Sequence, residues 1–223
     1  MITNLSSIVS DRRVVIFCDA LKTYTEVLNI SKRRGLKIEI YPSIPLEEEL
    51  IHHDIIIVIK KKHKKELKKN RVTKLYTYPT SEPRFLLDLV SALKGEFIKS
   101  IDIGMDPGLY NIGIAVIADG ILVMGETVPD ADTAMNILKE LLTYDPPVKR
   151  VKLKIGNGEN YRLLLQKITQ LGSKILGEKG EVKMELVDEY YAKRQVLAVD
   201  FLKDKNVIAA LKILLSKSYK ELR

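Results

Sequence analysis

Two aspartates four residues apart, Asp102 and Asp106, lie in the segment IDIGMDPGLYNIGIAVIADG at residues 101–120. Side chains of a β-strand alternate between its faces, so this spacing puts both carboxyls on one side. Pro107-Gly108 follows Asp106 and turns the chain, and the glycine lets a neighbouring backbone come close. A carboxylate fixed at a strand end in this way suits metal-assisted phosphate chemistry. Other chemistries are thinly supplied. The three histidines (His52, His53 and His63) all lie in the first half of the chain, away from this segment. The single cysteine, Cys18, sits in the apolar run VVIFC and reads as a core residue, so neither a disulfide nor a zinc-binding cysteine pair is available.

The elements that must position Asp106 follow from the apolar pattern. Residues 97–106, 112–118 and 121–128 read as three strands, and Asp119-Gly120 between the last two is a two-residue hairpin signal of type I′. A helix is expected over 130–144, ended by Asp145-Pro146-Pro147, then a strand over 151–155, the turn Gly156-Asn157-Gly158, and a helix over 159–176. A fifth strand over 182–187 and two helical stretches, 191–202 and 205–222, complete this half. The first half alternates differently. Strands are expected over 14–19, 36–41, 54–60 and 75–78. Helices are expected over 23–34 (closed by Gly35), in the acidic stretch opened by Pro45, in the lysine run, and over 81–93. This alternation predicts a small α/β domain with a parallel sheet over 1–95, and Lys94-Gly95-Glu96 as the junction to a second domain over 96–223.

Composition bounds the remaining classes. Of 223 residues 46% are hydrophobic and 30% charged, the balance of a globular protein. No apolar run approaches the ~20 residues of a membrane span, and the first residues lack a signal-peptide pattern, so a cytoplasmic protein with no membrane partner is expected. The net charge of +8 is concentrated in the first half: residues 1–95 hold 18 Lys+Arg against 11 Asp+Glu, the rest 19 against 18. Lys60, Lys61, Lys62, Lys64, Lys65, Lys68 and Lys69 form a run that is either a solvated helix surface or a phosphate-contacting patch, and Lys193-Arg194 is a smaller basic pair.

The segment at 101–120 resembles the opening hairpin of RuvC-like resolvases and YqgF-like nucleases, in which an Asp ends the first strand and glycines follow at fixed spacings. Asp106, Gly108 and Gly113 fit that spacing, and the DPG triplet points to the RuvC side. The resemblance covers about residues 98–217 and implies a ribonuclease-H-like domain with a mixed five-stranded sheet and helices. It further implies a metal-binding carboxylate set drawn from several elements. Asp106 leads that set. Glu189 of the Asp188-Glu189 pair at the end of strand five is the favoured second acid, sharing a face with Val187. Asp204 at the start of the last helix is the third, although a tighter alignment puts Asn206 there. Where RuvC-like enzymes carry a Glu at the end of strand four, this chain has Lys154 and Ile155, which leaves Glu159 as a displaced candidate. Glu159 and Asp204 read equally well as helix-start residues.

The implied activity is a Mg²⁺- or Mn²⁺-dependent endonuclease. Its partner is structured nucleic acid, either branched DNA such as a Holliday junction or precursor RNA, held by the basic residues above. Resolvases of this kind cut as dimers, so the resemblance admits a homodimer without requiring one. The alternative is a non-catalytic nucleic-acid-binding protein on a degenerate ribonuclease-H fold, suggested by Asn206 and the missing acid of strand four. Actin-like ATPases share the first spacing, but their fold needs the unit twice in a longer chain.

Overall fold

The computed structural model describes residues 2–18, 20–42, 54–60, 74–77, 81–145, 148–175, 181–197 and 199–222. The chain divides into two units, residues 3–96 and residues 97–223 with the first two residues.

In the first unit the elements are β1 (Thr3–Asn4), α1 (Leu5–Ser10), β2 (Val14–Cys18), α2 (Leu21–Arg34), β3 (Ile38–Tyr41), β4 (Ile55–Lys60), β5 (Lys74–Thr77) and α3 (Glu82–Lys94). Four of these strands form a sheet in the order β3-β2-β4-β5, every pair parallel, as the alternating pattern predicts. β2 is buried along its whole length, the pattern of a central strand in a parallel sheet covered on both faces. Helix α2 ends at Gly35, whose φ of 63° is the left-handed cap that glycine adopts without strain. Arg33 and Arg34 both grip Glu82 and so clasp α2 to α3. Helix α1 was not expected from the pattern; at six residues it is too short to show a periodicity. The acidic helix expected after Pro45 and the helix expected for the lysine run lie outside the described residues.

The second unit contains β6 (Ser100–Pro107), β7 (Ile112–Ala118), β8 (Ile121–Val128), α4 (Ala131–Leu142), β9 (Arg150–Gly156), α5 (Tyr161–Ile175), β10 (Glu181–Val187), α6 (Glu189–Lys193), α7 (Lys205–Leu215) and β11 (Lys220–Leu222). Its strands lie in the order β8-β7-β6-β9-β10-β11. β6, β7 and β8 are antiparallel neighbours, β9 runs parallel to β6, and β10 parallel to β9. A three-stranded meander followed by two parallel strands on its far side is the ribonuclease-H-like arrangement, and the chain is accordingly a mixed α/β protein. The β7–β8 turn has φ of 46° at Asp119 and 87° at Gly120, the two positive values of a type I′ hairpin. The Asp119 carboxylate accepts hydrogen bonds from the Lys99 and Ser100 backbone N–H groups, which pins the start of β6 to that turn.

Two expectations at the C-terminal end are corrected. The helix expected to run to residue 222 stops at Leu215, and Lys220–Leu222 instead pairs antiparallel with β10 as a sixth strand of this unit. The change of direction follows from Ser216, which is extended and buried, its carbonyl accepting from Lys154 Nζ. The helix expected over 191–202 shrinks to the five residues of α6, because the N–H groups of Arg194 and Gln195 close tighter turns onto Tyr191 and Ala192.

Helix α7 crosses one face of the sheet at unusually short range. A Cβ on Gly104 would lie 2.2 Å from the Ala210 carbonyl oxygen, one on Gly113 2.2 Å from that of Asn206, and one on Gly125 2.5 Å from Val207. Three strands thus each give up a side chain to let the helix down, and Ala210, Leu211 and Leu214 then pack with Ala115 and Leu122 in a core cluster. No helix among the described residues is long and apolar enough to cross a membrane.

Candidate functional site

β6 and β7 pair Asp106 with Gly113, and β7 and β8 pair Gly113 with Thr127. On the other side Met105 aligns with Ile155, so Gly156 is the neighbour of Asp106 one step further along the parallel pair, and Gly156 in turn aligns with Val187. Asp106 therefore projects between two positions without side chains. One gap is filled by the backbone of Asn206 over Gly113; the other is shared by Ile213, whose Cδ1 would lie 2.6 Å from a Cβ on Gly156, and Glu189, whose Oε1 would lie 2.8 Å from that Cβ and 2.1 Å from one on Gly158. The sequence signals GxG at 156–158 and D-x-G at 106–108 are the marks of this crowding.

Glu189 is placed by its backbone. Asp188 caps α6, accepting from Tyr190 N at 2.9 Å, and Glu189 N donates to Asn157 Oδ1 at 3.0 Å. Asn157 N donates to the Val187 carbonyl, so the 156–160 turn and the end of β10 form one ledge. Asn160 ties the loop after Asp106 to the same ledge, its Nδ2 donating to the Gly108 and Leu109 carbonyls at 3.0 Å each.

The two acids interact directly. Burial, and then the neighbouring Glu189 charge, raise the Asp106 carboxyl from the ordinary 3.8 to about 6; a hydrogen bond between the two carboxyls adds to the rise, and Lys193 opposes it. Glu189 Oε1 is buried without a hydrogen-bond donor among the described residues. Glu189 Oε2 accepts from Lys193 Nζ at 3.2 Å, and Lys212 Nζ donates to the Lys193 carbonyl at 3.1 Å. A buried, unsatisfied carboxylate oxygen beside a second carboxylate can be satisfied by a shared proton or by a cation.

The other sequence candidates are not brought to this pair. Asp204 is the N-cap of α7: its Oδ1 accepts from Asn206 N at 2.9 Å and Val207 N at 3.3 Å, and its Oδ2 from Thr127 Oγ1 at 2.7 Å. Thr127 lies two strands from Asp106 in the same row, about 10 Å at ordinary strand spacing. Glu159 is exposed in the turn before α5. Among the described residues no group of three or more Asp, Glu, His or Cys side chains could hold a metal. Of the expected set Asp106, Glu189 and Asp204, the first two are neighbours, and the α7 cap and Thr127 hold Asp204 at the far side of Gly113. Asp102 shares the face of Asp106 but lies 3.6 Å from Arg150.

The strand-four position has a structural occupant. Lys154 is buried, 3.8 Å from Glu185 on β10 and bonded to the Ser216 carbonyl. Burial lowers its ammonium pKa, with Glu185 opposing. Of the basic residues, Lys193 holds Glu189, and the Arg194 guanidinium lies 4.2 Å from the Tyr190 ring centroid. Lys60 ends β4; Lys61, Lys62, Lys64, Lys65, Lys68 and Lys69 lie outside the described residues.

No family model matches the chain, and no curated protein matches it. Among solved structures it is similar to Argonaute of Marinitoga piezophila in complex with 5′ OH guide RNA, with a TM-score of 0.30 and 10% identity over 79% of this chain. The same Argonaute with guide RNA and target DNA gives 0.29 and 11%. The chain spans 39% of the length of those proteins. At that level of likeness nothing about activity passes from one to the other.

Proposed function

We propose that this chain is a nucleic-acid-processing protein of the RuvC/YqgF type, in which Asp106 and Glu189 bind a divalent metal and promote hydrolysis of a phosphodiester. The observation that carries the reading is the pair itself: neighbouring carboxyls at the end of β6 and the start of α6, one with a buried oxygen that lacks a donor among the described residues. An all-oxygen donor set of two carboxylates fits Mg²⁺ or Mn²⁺, which take one or two protein carboxylates and complete their shells with water and substrate phosphate. An ion held by Asp106 and Glu189 would supply positive charge to the phosphate oxygens and make water a better nucleophile. The chain's own part is to fix both carboxyls on one ledge and to carry Lys193 and Arg194 beside them for contact with phosphates. The lysine run of residues 60–69, in a basic domain spanning 1–95, is proposed to hold the backbone of branched DNA or precursor RNA, in the cytoplasm and with a homodimer admitted.

A second reading has its own support. With Asp204 engaged as a helix cap and Lys154 at the strand-four position, the fold would bind nucleic acid without cutting it. Purified protein incubated with labelled single-stranded RNA, single- and double-stranded DNA and a four-way junction, in Mg²⁺, Mn²⁺ or EDTA, separates the two. Cleavage that needs metal and is lost in Asp106→Asn supports the nuclease. Binding without cleavage in every condition leaves the second reading.

A further inference from the structure

The ledge that holds Asp106 and Glu189 also displays aromatic side chains to solvent. Tyr110 is 81% exposed, Tyr190 59% and Tyr191 67%. Each follows one of the two acids closely in the chain. Tyr110 follows the Gly108–Leu109 carbonyls that Asn160 holds, and the other two follow Glu189 directly in the first turn of α6. The rings of Tyr190 and Tyr191 meet edge to face, 5.6 Å apart at 79°. The Arg194 guanidinium lies over Tyr190, and Lys193 stands one residue before it. Large aromatics are seldom left exposed to water, and an exposed pair in contact, such as Tyr190 and Tyr191, marks a contact surface.

The chemistry of this surface fits one kind of occupant. Unpaired nucleotides stack their bases on exposed rings while their phosphates meet neighbouring cations; bases inside a continuous duplex have no free face to offer. We propose that Tyr110, Tyr190 and Tyr191 form a stacking platform that receives unpaired nucleotides beside the Asp106–Glu189 pair, so that the site acts on single-stranded or unpaired segments rather than on continuous duplex. The substrate class rests on the reading of the pair as a phosphodiester site; the binding surface is tested apart from it.

The test is binding in EDTA, where no cleavage occurs, by fluorescence anisotropy of a short labelled single strand (DNA and RNA in separate arms) and of a blunt duplex of the same sequence. The full chain is expected to prefer the single strand. Replacing Tyr110, Tyr190 and Tyr191 together by alanine weakens single-strand binding on the order of tenfold or more, and phenylalanine at the same positions restores it, because stacking needs the ring and not the hydroxyl. Duplex binding changes little in either variant. Unchanged single-strand binding in the alanine protein overturns the platform, as does an equal loss for strand and duplex. A wild-type chain that binds no strand overturns it together with the nuclease reading. Tyrosine-dependent binding without metal-dependent cleavage keeps the platform and removes only the catalysis.

Discussion

Asp106 at the end of β6 and Glu189 at the start of α6 are close enough that the Glu189 charge raises the Asp106 carboxyl, and Glu189 lies on the bare backbone of Gly156 and Gly158. Two such acids held together in partial burial resist double ionisation. The pair is thus a source of local instability in the metal-free chain.

That instability has a pH window. The Asp106 carboxyl is raised from 3.8 to about 6, chiefly by burial and then by Glu189. Below 3.8 the folded and unfolded chains both carry the proton. As pH rises the unfolded chain releases it first, so stability falls across the interval up to about 6 and levels off above it. The full linkage is roughly 3 kcal/mol, and solvent screening at a partly exposed carboxyl reduces it to about 1–2 kcal/mol. In EDTA, Asp106→Asn is therefore expected to raise the denaturation midpoint at pH 7.5 and to flatten its decline between pH 4 and 6. A variant with the wild-type pH profile would show that Asp106 is not the strained group.

A divalent cation relieves the same repulsion. Mn²⁺ or Mg²⁺ at ten times its dissociation constant stabilises a folded chain by about 1.4 kcal/mol. This gain is expected for the wild-type chain at pH 7.5 and expected to vanish in Asp106→Asn and in Glu189→Gln, read as the shift in melting temperature on adding metal. An equal shift in all three proteins would place the metal elsewhere.

Asp204 answers to a different rule. Its carboxylate caps α7 and accepts from Thr127, and asparagine is as good a cap as aspartate. Asp204→Ala is expected to cost about 1 kcal/mol of stability and Asp204→Asn only a few tenths, with the metal response of the wild type kept in both. Should Asp204→Asn abolish that response while leaving stability intact, the residue is a ligand and the cap is secondary.

The contrast between Asp106 and Asp204 shows what the sequence could and could not display. The strands, the Asp119-Gly120 turn and the Gly35 cap were legible because each rests on a local rule: period-two alternation, positive φ, a left-handed helix end. Asp106 was legible for the same reason, as a strand-end acid before a turn. Whether Asp204 reaches Asp106 depends on where α7 settles, which is decided by Gly104, Gly113 and Gly125 on three different strands. No window of sequence contains that relationship. The reversal at Ser216 was hidden likewise, since its buried partner Lys154 lies on β9. Asn157 and Asn160, which build the ledge, stood in view within GNGENY, but Asn157 looked only like a turn residue and Asn160 like part of the helix expected over 159–176.

The glycines then allow the site to be damaged without the fold. A Cβ at Gly113 would meet the Asn206 carbonyl oxygen at 2.2 Å and its carbon at 2.6 Å, both backbone atoms of α7, so the helix itself must shift. Gly113→Ala is expected to cost about 3 kcal/mol. A Cβ at Gly158 also meets an atom at 2.1 Å, but that atom is Glu189 Oε1, the far end of a side chain that can swing away. Gly158 does not have a positive φ, so alanine brings no backbone strain there. Gly158→Ala is therefore expected to keep the unfolding free energy read from urea titration within about 1 kcal/mol of wild type. It is also expected to lose the stabilisation by Mn²⁺ and to weaken the pH dependence below 6 by the part that Glu189 adds to burial, because Glu189 no longer faces Asp106. A Gly158→Ala protein that unfolds like Gly113→Ala, or that binds Mn²⁺ as tightly as wild type, would mean that Glu189 is not held where the pair requires it.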